Sequence, residues 1–154
     1  MRPSRLPAGR PLRARERVLL AAEIVGAYVR ARRAMREQPI AATVATLRRG
    51  ERRMPARGAS LARVSIAAEA ADGVAEARRL GRAVARILAP LPGDTRCLVR
   101  SLVLTRLLAQ RGIDAKLVIG AHTTPGFLAH AWVEHAGAPV LDPGDGSFAR
   151  LVEL

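Results

Sequence analysis

The first half of the chain alternates apolar and polar residues with a helical period. Over about residues 12–36, Val18, Ala22, Val25 and Val29 recur at i, i+4, i+7 and i+11, opposite arginines at 13, 17 and 30. That spacing predicts a helix with the valine stripe turned inward. Pro39 suits the first position of a second, short helix ending at Arg49, with Gly50 as its cap. Residues 50–58 carry breakers and charge and read as a loop. A third helical pattern covers residues 61–88 and is weakened at Gly73. Its second half sets Val74, Ala77, Gly81, Val84 and Leu88 on one stripe, and Pro90 and Pro92 end it.

The period then changes. A fourth helix is predicted after Asp94 or Thr95, either of which is a good N-cap, with Leu98, Leu102, Thr105 and Leu108 inward and Gly112 beyond its end. Residues 115–119 read as a buried strand, 120–128 as a loop and 129–134 as a second strand. Ala136-Gly137 turns the chain into a third strand over 139–141. A loop at 143–146 precedes an apolar tail marked by Phe148, Leu151 and Val152. Helices first, then a helix packed on an antiparallel meander, make an α+β architecture. The division is a disordered basic arm over 1–11, a helical N-terminal region over 12–58 and a core over 59–154.

Composition narrows this picture. At 154 residues and 49% hydrophobic the chain can bury one core, and with 3% aromatics that core is built from Ala, Leu, Val and Ile. The net charge of +13 raises the question of nucleic acid. The arginines of the first 60 residues, however, are spread around the helices with no binding motif and no interleaved aromatics for base stacking. They read as a solvated surface, with Arg48, Arg49, Arg52 and Arg53 able to dock an acidic partner or peptide. The one cysteine excludes an internal disulfide and a Cys-rich zinc site and suits a reducing cytoplasm. Residues 18–29, the most apolar run near the start, include Glu23 and are too short to span a bilayer. A soluble, cytoplasmic protein is expected.

The candidate chemistry lies in residues 94–142. Cys97 sits at the start of the fourth helix, where unpaired N–H groups and the helix dipole favour a thiolate. A free cysteine is more often simply a small buried apolar side chain. His130, between Ala129 and Ala131, shares a strand face with Trp132. Asp142, before Pro143, is either a turn residue or, if the 129–134 and 139–142 segments pair, a carboxylate able to reach the imidazole. Thiol, imidazole and carboxylate on helix, strand and strand form the constellation of a cysteine nucleophile, its base and an orienting acid. His122 falls in the loop after the first strand and His135 toward solvent. A zinc site from His122, His130 and Asp142 lacks tight ligand spacing. No metal or cofactor is implied, and no phosphate-binding glycine loop is present.

Several linked motifs carry a resemblance. Cys97-Leu98-Val99-Arg100-Ser101-Leu102, then Arg111-Gly112-Ile113-Asp114-Ala115-Lys116-Leu117-Val118-Ile119-Gly120, then His130-Ala131-Trp132-Val133-Glu134 resemble the transglutaminase-like cysteine peptidases of lasso-peptide biosynthesis. The resemblance covers about residues 95–145. It implies a transglutaminase- or papain-like core in which Cys97, His130 and Asp142 are the catalytic triad. It also implies removal of a leader segment from a ribosomally made precursor through a thioester. The first 90 residues lack the strands of a winged-helix leader-recognition domain, so the chain resembles the stand-alone peptidase. Such an enzyme works with the precursor peptide, a separate leader-recognition protein and an ATP-dependent lasso cyclase. An acyltransferase passing the thioester to an amine, or a non-catalytic peptide-binding scaffold, are the alternatives.

Overall fold

The computed structural model describes residues 13–49, 66–90, 96–123, 126–141, 144 and 146–154, with the side chains of 66–72 and 96 left aside. Its helices are α1 (Ala14–Glu37), α2 (Ile40–Arg49), α3 (Ile66–Ile87) and α4 (Arg96–Gln110). Its strands are β1 (Lys116–His122), β2 (Leu128–His135), β3 (Ala138–Pro139) and β4 (Ala149–Glu153). The strands form one antiparallel sheet in the order β3-β2-β1-β4. The α+β architecture expected from the sequence is therefore borne out. The basic arm at 1–11 and the loop at 50–58 lie outside the described residues.

Helix α4 is the centre of the molecule. Every residue from Ser101 through Leu108 is buried, so the helix is enclosed all round and not merely along the expected stripe. Leu102, Leu104, Leu107 and Leu108 are fully buried among Ile24 of α1, Val44 and Leu47 of α2, Leu80 and Val84 of α3, and Leu117 and Val133 of the sheet. An isolated helix with this sequence would expose leucines on every side, so α4 is held by tertiary packing and not by its own propensity. Its end is sharply defined. Ile113 N–H donates to the Leu108 carbonyl (2.9 Å), Gly112 N–H donates to Ala109 (3.0 Å), and Gly112 has φ +68°. These are the paired bonds of a Schellman cap, placed as the glycine at 112 predicts.

Helix α1 corrects the sequence reading. Its buried face is Ile24, Ala27, Ala31 and Ala34, while Val18, Val25 and Val29 are 69%, 50% and 57% exposed. Two apolar stripes compete on this helix, and hydropathy alone does not choose between them. Two physical features favour the alanine face. Small side chains let the axes of α1 and α4 approach closely, and Glu23 accepts two hydrogen bonds from Arg111 just past α4 (2.9 and 2.8 Å), which sets the rotation of α1. The α3 stripe is as expected: Ala77, Gly81, Val84 and Leu88 are buried. A Cβ on Gly81 would run into the Val140 carbonyl, so the helix backbone rests directly on the chain leaving β3.

The β2–β3 hairpin turns through Ala136 (φ 50°) and Gly137 (φ 76°), a two-residue loop with both residues left-handed. Glu134 pairs with Pro139 and His135 with Ala138, and Val140 N–H donates to Val133 (2.9 Å). The turn is where it was expected, but the pairing is shorter: β3 is Ala138–Pro139 instead of 139–141, and among the described residues the hairpin bonds end at Val133 and do not run along 129–134. β1 runs on to His122, and β4 pairs along its outer side, with Ala121 opposite Ala149 and Ile119 opposite Val152. The tail read only as apolar is thus a strand. Arg48 of α2 closes the other end, donating to the Ala115 carbonyl and to that of Leu154 (3.0 Å).

The packing of α3 carries a pH dependence. Arg79 donates two hydrogen bonds to Glu76 (2.7 Å each), and Arg111 stands 3.9 Å away. The hydrogen bonding by Arg79 holds the Glu76 carboxyl below its usual value. A depressed folded-state pKa stabilises the protein fully above the unfolded glutamate value of about 4.3, and that share is lost as pH falls through the folded value. The groups are partly exposed, so the share is under about 1 kcal/mol. Glu76→Gln is expected to melt lower than the parent at pH 7, with the difference closing as pH falls below about 4.3. Thermal melts across that range measure it.

Candidate active site

Cys97 lies in the first turn of α4 and is half-buried, as a free thiol. The first four N–H groups of a helix have no carbonyl partner inside it, so Cys97 belongs to the electropositive end of α4. One turn on, Ser101 Oγ donates to the Ala131 carbonyl of β2 (3.0 Å), and both residues are buried. The sheet explains this contact. Val133 turns its carbonyl toward β3, where Val140 supplies the N–H. Ala131, two residues back, turns its carbonyl to the same edge beyond the paired part of the hairpin. Ser101 takes the position a strand donor would have held. The helix that carries Cys97 is thereby fixed against the edge of β2 at the residue after His130.

His130 occupies the opposite face of the sheet from Ala131 and Val133, as the period-2 reading predicts. Its ring stacks on Trp132 (centroids 6.1 Å, interplanar 18°) and also meets Phe148 (5.1 Å, 32°). Phe148 in turn contacts His122 (5.0 Å, 41°). Trp132, His130, Phe148 and His122 thus form a continuous aromatic row across β2, the approach to β4 and the end of β1.

Charged residues brace the row. Trp132 Nε1 donates to Glu134 Oε1 (2.8 Å), and Arg150 holds both Glu134 oxygens (3.0 and 3.1 Å) while donating to Glu153 (2.6 Å). Hydrogen bonding from Glu134 raises the Arg150 pKa, and bonds from Lys116 and Arg150 lower that of Glu153. Arg150 therefore ties β4 to β2 across β1 and fixes the tryptophan beside His130. Glu134 enters the sequence reading only as the end of the His130 motif and Arg150 not at all, because their meeting depends on β4.

The predicted residues fare differently. The structure brings the Cys97 helix and the His130 strand together through Ser101. Asp142 lies outside the described residues, as do the capping candidates Asp94 and Thr95. The described Gly144 comes close, since a Cβ on it would lie 3.5 Å from His130 Cδ2. His122 ends a strand instead of sitting in a loop, because β1 is lengthened by its pairing with Leu128 of β2. His135 is half-buried on the helix side against Gly73 of α3, and its Nδ1 donates to the Asp114 carbonyl (2.5 Å), so it does not face solvent freely. Among the described residues no group of three or more His, Cys, Asp or Glu side chains is placed to hold a metal ion. No helix among them is long and apolar enough to cross a membrane.

Gly120, opposite His130 in the β1–β2 register, keeps this arrangement open. A Cβ there would lie 2.9 Å from the Ala149 carbonyl, 2.9 Å from Trp132 Cη2 and 3.0 Å from Phe148 Cβ. Gly120→Ala is expected to cost about 1–3 kcal/mol through overpacking and to displace the sole tryptophan. Denaturant titration measures the first effect and a change in tryptophan emission the second.

Comparison with known proteins agrees with this geometry. The family profile described as Transglutaminase-like superfamily matches residues 25–153. The Microcin J25-processing protein McjB of Escherichia coli is 50% identical over 46 residues, which are 30% of this chain and 22% of that protein. The matched segment thus spans about a fifth of the relative. No solved structure matches the chain. The resemblance read from the sequence motifs is borne out by the profile and the relative together.

Proposed function

The chain belongs to the transglutaminase-like superfamily, and we propose that within it this protein is a cysteine peptidase that cleaves the leader from a lasso-peptide precursor. The observation that carries the reading is the Ser101–Ala131 hydrogen bond, which holds the first turns of α4 against the strand beside His130. Likeness to a microcin J25-processing protein supports a ribosomally made peptide as substrate.

In this reading Cys97 is the nucleophile, His130 its base and Asp142 the group that orients the imidazole. His130 takes the thiol proton as Cys97 Sγ adds to the carbonyl at the leader–core junction. The tetrahedral oxyanion is stabilised by the Cys97 backbone N–H in the first turn of α4. Collapse breaks the C–N bond, the leader is held as a thioester, and His130 passes its proton to the departing core amine. Water activated by His130 then attacks the thioester and releases the leader carboxylate and the free thiol. Asp142 selects the tautomer that leaves Nε2 or Nδ1 free for the thiol, whichever the carboxylate does not hold. The His130 ring contacts both Trp132 and Phe148, which supports a positioning requirement. The free amine would pass to a separate ATP-dependent cyclase, and a leader-recognition protein would deliver the precursor.

The deciding experiment incubates the protein with a precursor peptide and a leader-binding protein and reads the products by mass spectrometry. Hydrolysis gives a leader ending in a free carboxylate, whereas transfer to an amine gives a leader bearing that amine. Cys97→Ala is expected to abolish cleavage with an unchanged melting temperature, and full activity in that variant would remove Cys97 as nucleophile. Asp142→Asn is expected to retain folding and lose about 10⁴-fold in turnover through the wrong tautomer, as in serine-protease triads. Turnover close to the parent rate would show that the carboxylate is dispensable.

A further inference from the structure

We propose that the cavity beside His122, at the open end of the β1–β2 hairpin, is a subsite for an uncharged aliphatic or aromatic side chain of an extended substrate peptide. The cavity is about 520 Å³ and is lined by Ala121, His122, Phe127, Ser147, Ala149 and Leu151 among others. Among the described residues its wall carries no charged side chain, in a chain with a net charge of +13. Phe127 and Leu151 at its rim are 76% and 62% exposed. Large apolar side chains gathered around one concavity and left in water mark a binding site more often than a solvated surface.

Two observations select a peptide strand as the occupant. First, the cavity lies near the candidate active site: the His122 ring on its wall packs on Phe148, and Phe148 packs on His130. A peptide whose scissile bond lies near His130 would have a neighbouring side chain within reach. Second, β4 is the edge strand of the sheet, and its far side has no strand neighbour among the described residues. An extended segment can add to that edge by main-chain bonds and place alternate side chains in the pocket. A second copy of the chain is a poorer occupant, because two molecules of charge +13 repel each other and Arg150 stands on β4 itself.

The proposal rests on the peptidase reading, and its test keeps the two apart. Full-length Cys97→Ala protein is immobilised and offered positional-scanning pools of short, end-blocked synthetic peptides, with one position fixed as Leu, Phe, Ser or Asp. Retained peptides are quantified by mass spectrometry. The expected result is enrichment of the Leu or Phe pool over the Asp pool by at least about tenfold at one position. Leu151→Asp and Phe127→Asp, made in the same protein, should shrink that preference to about twofold or less. Both side chains are exposed, so the parent melting temperature should be kept. Equal retention of all pools overturns the proposal, as does a preference that survives both substitutions. A concentration-dependent dimer that Leu151→Asp dissociates would also overturn it, by assigning this surface to a second copy. A pool preference, with no cleavage of the precursor by the wild-type protein even when the leader-binding protein is present, removes the peptidase reading and leaves the subsite. Hydrolysis with a side-chain preference indifferent to both substitutions does the reverse.

Discussion

One hydrogen bond links the helical and sheet halves of this protein at the point where chemistry is expected. Ser101 Oγ meets the Ala131 carbonyl inside an otherwise leucine-lined interface. A buried neutral hydrogen bond contributes only about 1 kcal/mol net, but leaving the carbonyl alone would cost about 1–3 kcal/mol. The bond therefore acts more through register than through strength. Apolar packing would let α4 slide or rotate along β2 at little cost, whereas a directional bond one turn from Cys97 permits one setting. That setting depends on β3 being short. A longer third strand would satisfy Ala131 from within the sheet and leave Ser101 without a partner.

The other side of the sheet is organised by a similar economy of polar groups. Trp132 is held by Glu134, Glu134 by Arg150, and Arg150 by Glu153, so a chain of bonds crosses from β2 to β4. The Arg150 contacts are exposed and individually weak. Their value is geometric, because they hold the tryptophan beside His130 while β4 brings Phe148 to the same ring. Gly120 lies between them with no side chain, and this allows two aromatic rings to close over the middle of β1.

The parts of this arrangement legible in the sequence are those set by short-range periodicity. The helix at Cys97 and its glycine cap, the shared face of His130 and Trp132, and the Ala136-Gly137 turn all follow from local spacing. What was not legible depended on choices between equally good local patterns or on distant pairing. Helix α1 offers two apolar stripes, and its rotation is set by Glu23 meeting Arg111, 88 residues away. β4 reads as a loose apolar tail because its five residues are exposed and its place beside β1 is set by backbone pairing, with the Lys116–Glu153 ion pair as a side-chain link. Without β4, His122 appears to lie in a loop and Arg150 has no visible role. His135 was misjudged for a related reason: a strand ending at a turn suggests solvent, but α3 covers that end of β2. The role given to Asp142 rests on the motif resemblance and on the hairpin that carries the chain toward it.

The position of β4 has a consequence for how the fold can loosen. Phe148 and Arg150 come after every described element but β4 itself, yet one packs on His130 and the other braces Trp132 through Glu134. Both reach their partners through the pairing of β4 with β1, on an edge strand whose five residues are exposed. Fraying of that edge would release the aromatic row while the leucine-lined core around α4 stayed packed.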